Sequence, residues 1–348
     1  MSCAVLSTAM LPLEATVIHP RTRELGFLHQ ILVAPDAIYA IGGTYHKPTL
    51  LVSSDRGRSF ELWKTPPSSG LRGMRVVDGA VWIIGEYGLF AYTRDRGATW
   101  TKVKLPKTSG TTCMYCVDRD AAGRIWVTGD DGMILRSKAR TGKSYDVMPT
   151  KTTGRMLCLW LDSRDGLPWL LDTTGTVQRF NGKAFVVVDI RGRTKQPLCQ
   201  IKRTAAGTLI VVGDGGVVLR SETDGATWKR ITAPTKLGIP QFALTRFGII
   251  LVAFDGLVVS HDDGRTLARV ETTMVGKLWS IADAGDAVLV GGEEGVIYRI
   301  SNAELARLLH AVYADRDATL AALAATVRDG VDGADLVLED ALRERGLY

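Results

Sequence analysis

The sequence predicts an all-β fold: a seven-bladed β-propeller over residues 12–300, with an N-terminal strand closing the last blade and a short C-terminal α-helical tail over 301–348. Three observations predict it. A unit of roughly 40 residues recurs along the chain, a period typical of propellers and solenoids. Each unit contains short apolar runs bounded by Gly and Asp, as expected of strands joined by tight turns. The last unit is one strand short, and the N-terminus supplies a candidate for it.

The repeat is clearest in the second strand of each unit and in the glycine that ends the following turn. Residues 81–88 read VWIIGEYG, and the pattern returns at 125–132 as IWVTGDDG. This strand is apolar on both faces, so neighbouring sheets must cover both of its sides. The closing glycines are separated by 44, 43, 41, 40 and 39 residues; they are Gly88, Gly132, Gly175, Gly216, Gly256 and Gly295.

A second motif follows the third strand of several units, for example TRDRGATW at 93–100 and SETDGATW at 221–228. These segments resemble the Asp-box of BNR-repeat proteins. Its Asp is expected to accept bonds from nearby backbone N–H groups, its Gly to supply a positive φ, and its Trp to hold the turn against the sheet. We interpret the motif as a folding device rather than a catalytic site. The residues predicted to act in this way are Asp55, Gly57, Asp95, Gly97, Trp100, Asp224, Gly225, Trp228, Asp263 and Gly264.

The two ends of the chain complete the prediction. The seventh unit has three strands, at 277–282, 287–291 and 296–300, and residues 14–18 supply the fourth, which would leave no exposed sheet edges at the termini. A capping box at 301–304 opens a helix, and further helices are expected at about 317–328 and 334–345. The tail carries a net charge of −4 against +10 for residues 1–300. It is expected either to dock on the propeller or to recruit a partner.

The candidate binding residues gather on one rim, here called the top face. It is formed by the turns between second and third strands together with the connections between blades. Acids, bases and aromatic residues alternate there, which suits a protein or peptide partner better than a polyanion. The predicted partner-binding residues are Arg72, Tyr87, Arg155, Arg191, Arg193, Gln241, Phe242, Lys277 and Trp279.

The repeat, the count of seven blades and the absence of enzymatic signatures resemble the Ycf48-like photosystem II assembly factors of the BNR-repeat superfamily. The resemblance covers residues 12–300. It implies a noncatalytic scaffold that binds partner polypeptides through an arginine-bearing face, to which Arg72, Arg155, Arg191 and Arg193 would belong.

Other classes of site find little support in the sequence. The five cysteines and five histidines lack the spacing of a metal site, and no phosphate-binding loop precedes a helix, so we predict no metal and no cofactor. No apolar run is long enough to span a membrane, and no recognition helix for nucleic acid is evident. The N-terminus lacks the pattern of a signal peptide, and the odd number of cysteines is unlike a disulfide framework. We therefore expect a cytoplasmic protein.

No catalytic residues are predicted. The arginine triad and the Phe/Tyr-Arg-Ile-Pro signature of bacterial sialidases are missing. The alternative function is a glycoside hydrolase or carbohydrate-binding propeller of the same superfamily. It would require two top-face carboxylates, such as Asp130 and Asp214, to act as a pair about 5–10 Å apart.

Overall fold

A computed structural model describes residues 13–44, 47–66, 70–106, 113–190 and 194–313. Within these ranges the chain forms seven four-stranded antiparallel sheets. The first strand of each sheet contacts the first strands of the two neighbouring sheets, and these contacts close into a ring. The predicted seven-bladed β-propeller is confirmed. No described helix is long and apolar enough to cross a bilayer.

The blades follow one another along the chain, and in blades 1 to 6 the strands run in sequence from the axis outward. The N-terminal strand is β1 (Thr16–His19), blade 1 contains β2 (Phe27–Val33), β3 (Ile38–Thr44), β4 (Lys47–Ser53) and β5 (Glu61–Leu62), and blade 2 contains β6 (Leu71–Val77), β7 (Ala80–Gly85), β8 (Phe90–Thr93) and β9 (Thr101–Lys102). Blade 3 contains β10 (Met114–Arg119), β11 (Ile125–Gly129), β12 (Ile134–Ser137) and β13 (Tyr145–Val147). Blade 4 contains β14 (Cys158–Leu161), β15 (Pro168–Leu171), β16 (Val177–Phe180) and β17 (Phe185–Val188).

Blades 5 to 7 are built in the same way, and a helix follows them. Blade 5 contains β18 (Leu198–Arg203), β19 (Leu209–Gly213), β20 (Val217–Ser221) and β21 (Lys229–Thr232). Blade 6 contains β22 (Gln241–Thr245), β23 (Gly248–Ala253), β24 (Gly256–Ser260) and β25 (Ala268–Val270). Blade 7 contains β26 (Leu278–Asp283), β27 (Ala287–Gly292) and β28 (Ile297–Ser301), and the helix is α1 (Asn302–Tyr313). Short 3-10 turns occupy Arg23–Leu25, Glu86–Gly88 and Glu293–Gly295.

The hydrophobic core lies between the blades. The second strand of each blade is buried along its length, as its unbroken apolar sequence predicts. Ile41 and Leu50 of blade 1, for example, share one cluster with Met74 and Ile83 of blade 2. Clusters of this kind join each pair of neighbouring blades, so the ring is stabilised by packing between faces.

The N-terminal segment closes the ring as predicted. Strand β1 pairs antiparallel with β28, with Thr16 opposite Arg299, and it forms the outer strand of blade 7. Just before it, the Leu13 N–H donates to the Glu271 carbonyl at 2.7 Å, and the Leu13 side chain is buried. The start of the chain is therefore held by both blade 6 and blade 7.

Helix α1 begins at the predicted capping box and packs on the propeller. The Glu304 N–H donates to Ser301 Oγ at 3.2 Å, while Glu304 Oε1 accepts the N–H of Glu14 at 2.8 Å. Leu305 and Leu308 are buried in the same cluster as Leu13. The first turns of the tail thus dock on the ring. The helices expected at 317–328 and 334–345 lie outside the described residues.

The glycines of the Asp-box-like turns behave as predicted. Gly57, Gly97, Gly225 and Gly264 all have φ between 76° and 84°. Each N–H donates to the hydroxyl that opens its turn, as Gly225 N does to Ser221 Oγ at 2.9 Å.

The two tryptophans of the motif both donate hydrogen bonds, one within its own turn and one to a neighbouring blade. Trp228 Nε1 donates to the Gly225 carbonyl at 3.0 Å, within its own turn. Trp100 Nε1 donates to the Lys64 carbonyl of blade 1, also at 3.0 Å.

The predicted role of two of the aspartates is wrong. Asp55 and Asp95 do cap their turns: the N–H groups of Ser59 and Thr99 donate to them, each at 2.9 Å. In blade 6, however, the capping carboxylate is Asp262, whose Oδ1 accepts the Thr266 N–H at 2.8 Å. In blade 5 the hydroxyl of Thr223 takes this place and accepts the Thr227 N–H at 2.8 Å.

Asp224 and Asp263 stand one residue later, at φ of 57° and 58°, and point away from their own turns. Asp224 accepts Nη2 of Arg203 at 2.7 Å, and Asp263 accepts Nη2 of Arg220 at 3.0 Å. These two carboxylates therefore neutralise arginines that lie in the surrounding sheets.

Candidate functional site

A cavity of about 470 Å³ lies along the axis of the ring. Residues from the first strands of all seven blades line it. These strands have no partner strand on the axial side, so backbone N–H and C=O groups face the cavity unless side chains cover them. A site built here can therefore use both side chains and main chain.

Five blades carry a β-bulge at the same point, near the top of the first strand. The register shifts by one residue in β2, β6, β10, β18 and β26, and the extra residues are His29, Arg72, Tyr115, Cys199 and Trp279. All five line the cavity. Bulges redirect side chains and are common next to functional sites. The mouth of the channel is thus a ring of five unlike side chains on a repeated backbone.

Arg72 connects two neighbouring positions of the mouth. Its Nη1 lies 2.6 Å from Nε2 of His29, and its Nη2 donates to Glu86 Oε1. Burial, assisted by the adjacent guanidinium, lowers the pKa of His29 to about 3. Arg72 Nε and Glu86 Oε2 are buried, and neither has a hydrogen-bond partner within the described ranges. The group therefore keeps one unused donor and one unused acceptor.

An aromatic row crosses the other side of the mouth. The Trp279 ring centroid lies 4.9 Å from that of Phe27, 4.7 Å from that of Phe254 and 5.6 Å from that of His29. These rings come from blades 1, 6 and 7. The buried Trp279 Nε1 has no acceptor among the residues that the structure describes. Because a buried indole N–H usually finds a partner, this donor marks a place for a ligand oxygen.

Tyr115 and Asp130 form a third group, on blade 3. The Tyr115 hydroxyl donates to Asp130 Oδ1 at 2.9 Å, and the Cys113 N–H donates to Asp130 Oδ2 at 2.8 Å. The pKa of Tyr115 is raised, chiefly by burial. Arg155 approaches Asp130 Oδ1 at 3.6 Å from the connection into blade 4. Asp130 is therefore held by neutral and cationic donors together.

Below the mouth, amide side chains join the blades. Gln30 accepts the Met74 N–H at 2.9 Å, and Gln200 accepts the Phe242 N–H at 2.7 Å. Gln241 accepts the Ile281 N–H at 3.3 Å and donates to the His29 carbonyl at 2.8 Å. Each amide satisfies backbone groups of another blade on the axial side, which stabilises the ring.

Eight of the nine predicted partner-binding residues fall into three classes. Arg72, Gln241 and Trp279 line the cavity. Lys277 is exposed, Tyr87 is 63% exposed, and the side chain of Arg155 is 67% exposed. These three residues are therefore accessible to a partner. Arg191 and Arg193 lie outside the described residues.

Phe242 differs from the expectation. Its side chain is completely buried, in the cluster between blades 5 and 6. Strand β22 pairs regularly with β23 and has no bulge, so Phe242 packs between sheets instead of turning to the axis. It can therefore stabilise the site but cannot touch a partner.

Sequence reasoning missed the shared position of the five mouth residues. Tyr115 and Cys199 are absent from the predicted binding residues, and the prediction does not place Arg72 and Trp279 at one shared position of the repeat. A signal was present: each bulge residue directly follows a fully buried aliphatic or methionine residue at the start of the first strand, namely Leu28, Leu71, Met114, Leu198 and Leu278.

The lower channel is lined by a second set of polar groups. Arg75 Nε lies 2.9 Å from Asp118 Oδ1. Lys202 Nζ donates to the Phe242 carbonyl at 2.7 Å, and burial lowers the pKa of Lys202 to about 8. Burial also raises the pKa of Cys116 to about 11 and, at the mouth, that of Cys199 to about 12. These thiols are therefore protonated and weakly nucleophilic at neutral pH.

Within the described ranges, no group of three or more His, Cys, Asp or Glu side chains is arranged to hold a metal ion. The site therefore offers hydrogen bonds, charges and aromatic faces.

Comparison with known proteins supports the fold. No protein-family model and no curated protein matches the chain. Among solved structures, YCF48 bound to D1 peptide is 20% identical, with a TM-score of 0.66, over 81% of this chain and 96% of that one. Virginiamycin B lyase from Staphylococcus aureus, an inactive variant with quinupristin, is 12% identical, with a TM-score of 0.67, over 82% and 98%. The WD40 propeller domain of Doa1 is 10% identical, with a TM-score of 0.66, over 83% and 97%.

These proteins share the architecture of this chain while differing widely in sequence. Similarity at this level establishes the fold, and many unrelated functions use it.

Proposed function

We propose that this protein is a noncatalytic scaffold that binds a peptide segment of a partner protein at the mouth of its central channel. The observation that carries the proposal is the set of buried polar atoms at the mouth that have no hydrogen-bond partner among the residues described by the structure. Arg72 Nε and Trp279 Nε1 are donors, and Glu86 Oε2 is an acceptor. A peptide backbone presents carbonyl and N–H groups together, so one extended segment can satisfy all three.

The surroundings of these atoms favour the same ligand. The aromatic row offers apolar surface, as peptide grooves do, while exposed Tyr87, Arg155 and Lys277 stand at the rim. A propeller of similar fold, YCF48, has been solved with D1 peptide bound, which supports peptide binding as a use of this architecture. The identity of the partner does not follow from that likeness.

The noncatalytic part of the proposal rests on Glu86 and Asp130, because the glycosidase alternative needs a second working carboxylate beside Asp214. Glu86 is paired with Arg72, and Asp130 accepts from Tyr115 and the Cys113 backbone. A glycosidase requires one carboxyl group as general acid and a second free to act as nucleophile or base. Release of sugar from a panel of glycosides, lost in Asp130→Asn, would overturn this part and favour the carbohydrate-active alternative.

The test is selection of peptides on the intact protein. A displayed library of twelve-residue peptides is enriched on the wild type, and the selected peptides are titrated by fluorescence anisotropy. Trp279→Phe removes the indole N–H and keeps an aromatic ring, so it should weaken binding by roughly 5- to 20-fold, the worth of one buried hydrogen bond. Arg155→Glu should weaken the binding of selected peptides that carry acidic residues.

The control is Lys229→Ser, on the outermost strand of blade 5 and exposed. It should bind like the wild type. Failure to enrich any peptide, or equal affinity in Trp279→Phe, would overturn the proposal.

A further inference from the structure

Asp214 is a partly buried carboxylate of the top face that lacks a cationic partner within the described ranges. It lies in the turn between β19 and β20 and is half-buried. Acids of three other blades are neutralised: Glu86 by Arg72, Asp255 by Arg269 at 2.6 Å, and Glu293 by Arg21 at 3.5 Å. No lysine, arginine or histidine nitrogen in the described part of the chain lies within 4 Å of the Asp214 carboxylate. Burial raises its pKa, and no nearby cation offsets this.

The backbone brings this carboxylate against an aromatic ring. Two backbone hydrogen bonds fix the connection into blade 6 at Gly238. The Gly238 carbonyl accepts the Phe254 N–H at 3.0 Å, and the N–H of the next residue, Ile239, donates to the Gly213 carbonyl at 3.1 Å. A Cβ at Gly238 would lie 2.6 Å from Asp214 Oδ1 and 2.6 Å from Phe254 Cε2. The carboxylate oxygen and the ring edge are therefore within about 5 Å of each other, over a residue that has no side chain.

Phe254 is the first ring of the aromatic row. Its centroid lies 4.7 Å from that of Trp279, which in turn lies 4.9 Å from that of Phe27. Phe27 is 38% exposed, so the row reaches from the Asp214 carboxylate to solvent at the mouth. Aromatic faces carry negative electrostatic potential and attract ammonium and guanidinium groups, most strongly in the case of tryptophan.

We propose that Asp214, Phe254 and Trp279 form a subsite for a cationic group, an alkylammonium or guanidinium, which a bound peptide supplies as a lysine or arginine side chain. This inference rests on the proposed function and specifies its ligand. The carboxylate supplies the countercharge and the rings supply the faces along which the aliphatic stem lies. Arg155 and Lys277 lie on other blades than Asp214, so a peptide with separated acidic and basic residues would fit the mouth in one direction.

The test observes the subsite directly. The indole N–H resonance of Trp279 is identified in ¹H–¹⁵N spectra as the signal lost in Trp279→Phe. Nα-acetyl-lysine methylamide and Nα-acetyl-arginine methylamide are then titrated against the full-length protein, with Nα-acetyl-norleucine methylamide as the uncharged isostere. The lysine and arginine probes should shift this resonance, and the norleucine probe should shift it far less. Titration with n-butylammonium distinguishes a site for free amines from one that requires the peptide group.

Asp214→Asn should weaken binding of the cationic probes by about tenfold without changing the rest of the spectrum. The matched control is Asp131→Asn, an exposed acid in the equivalent region of blade 3, which should bind like the wild type. Equal shifts from norleucine and lysine probes, or unchanged affinity in Asp214→Asn, would overturn the subsite.

The two proposals fail in different ways. If selected peptides bind the mouth and depend on Trp279 but show no preference for basic residues, and the probes leave Trp279 unmoved, the cation subsite is wrong and peptide binding stands. If no peptide is selected, the proposed function itself fails.

Discussion

Nη1 of Arg72 lies 2.6 Å from Nε2 of His29, across the boundary between blades 2 and 1. A guanidinium can only donate, so Nε2 must accept, and the imidazole is neutral with its proton on Nδ1. A protonated imidazole would place two cations in contact in a partly buried site. The pair therefore fixes both the tautomer of His29 and the orientation of Arg72 at the mouth.

This relationship predicts how stability depends on pH. The pKa of His29 is about 3 in the folded protein against an ordinary 6.5, so between these values the unfolded chain binds one more proton than the folded chain. The free energy of unfolding must then fall as pH drops below about 6, by about 1.4 kcal/mol per pH unit from this residue. His29→Gln retains an acceptor for Arg72 and removes the titration.

Urea denaturation of both proteins between pH 7 and pH 4 measures the effect. Carboxylates titrate in both proteins, so their contributions cancel when the two free energies of unfolding are subtracted. The free energy of unfolding of the wild type should fall relative to that of His29→Gln as pH decreases. If the two free energies change in parallel with pH, His29 is not held neutral.

The amide of Gln241 should contribute to stability rather than to binding alone. It bonds the Ile281 N–H and the His29 carbonyl, in blades 7 and 1. Gln241→Leu leaves both backbone groups without a partner beside an apolar side chain, so we expect a loss of about 1–3 kcal/mol in the free energy of unfolding. Gln196→Leu makes the same chemical change at an exposed position and should alter stability little. If the two variants unfold alike in urea, Gln241 does not join the blades.

The blade pattern and the closure of the ring could be predicted because hydrophobic burial determines them. A second strand such as Val81–Ile84 is apolar throughout since blades cover both of its faces, and this leaves a direct trace in the sequence. Residues 14–18 could be assigned to the last blade because an incomplete sheet exposes an edge.

The channel mouth left a weaker trace. A β-bulge adds one residue without changing the apolar pattern, so the exposure of Trp279 to the axis and the burial of Phe242 depend on register. The role of Asp224 depends likewise on one position: the residue that caps the turn is Thr223, and Asp224 turns towards Arg203. Charged groups that pair across blades are far apart in sequence, and spacing alone does not connect them.

Gly225 is expected to be among the least replaceable residues of its turn. Its φ is 84°, and a Cβ there would lie 2.7 Å from Cη2 of Trp169 in blade 4. Gly182 has a φ of 92°, and a Cβ there would meet no described atom within 4 Å, so its replacement isolates the backbone cost. Gly182→Ala should lose about 1–2 kcal/mol from the positive φ alone. Gly225→Ala should lose about 1–3 kcal/mol more because of the steric clash, measured by urea denaturation. Equal losses would mean that Trp169 moves aside at no cost.

The docking of α1 predicts that the helix stabilises the closed ring. Leu305 and Leu308 are buried against Leu13, which itself lies between blades 6 and 7. Replacing both leucines by alanine removes apolar contacts and leaves a cavity, at about 2–5 kcal/mol for a fully buried leucine.

The double variant should therefore unfold at lower urea concentration than the wild type. Hydrogen exchange should rise first in β1 and β28, because the helix holds the segment that leads into β1. Leu62→Ala, at an exposed position of β5, controls for the loss of a leucine as such and should change neither property. A double variant with wild-type stability would mean that α1 rests on the propeller without supporting its closure, and that the pairing of β1 with β28 holds the ring by itself.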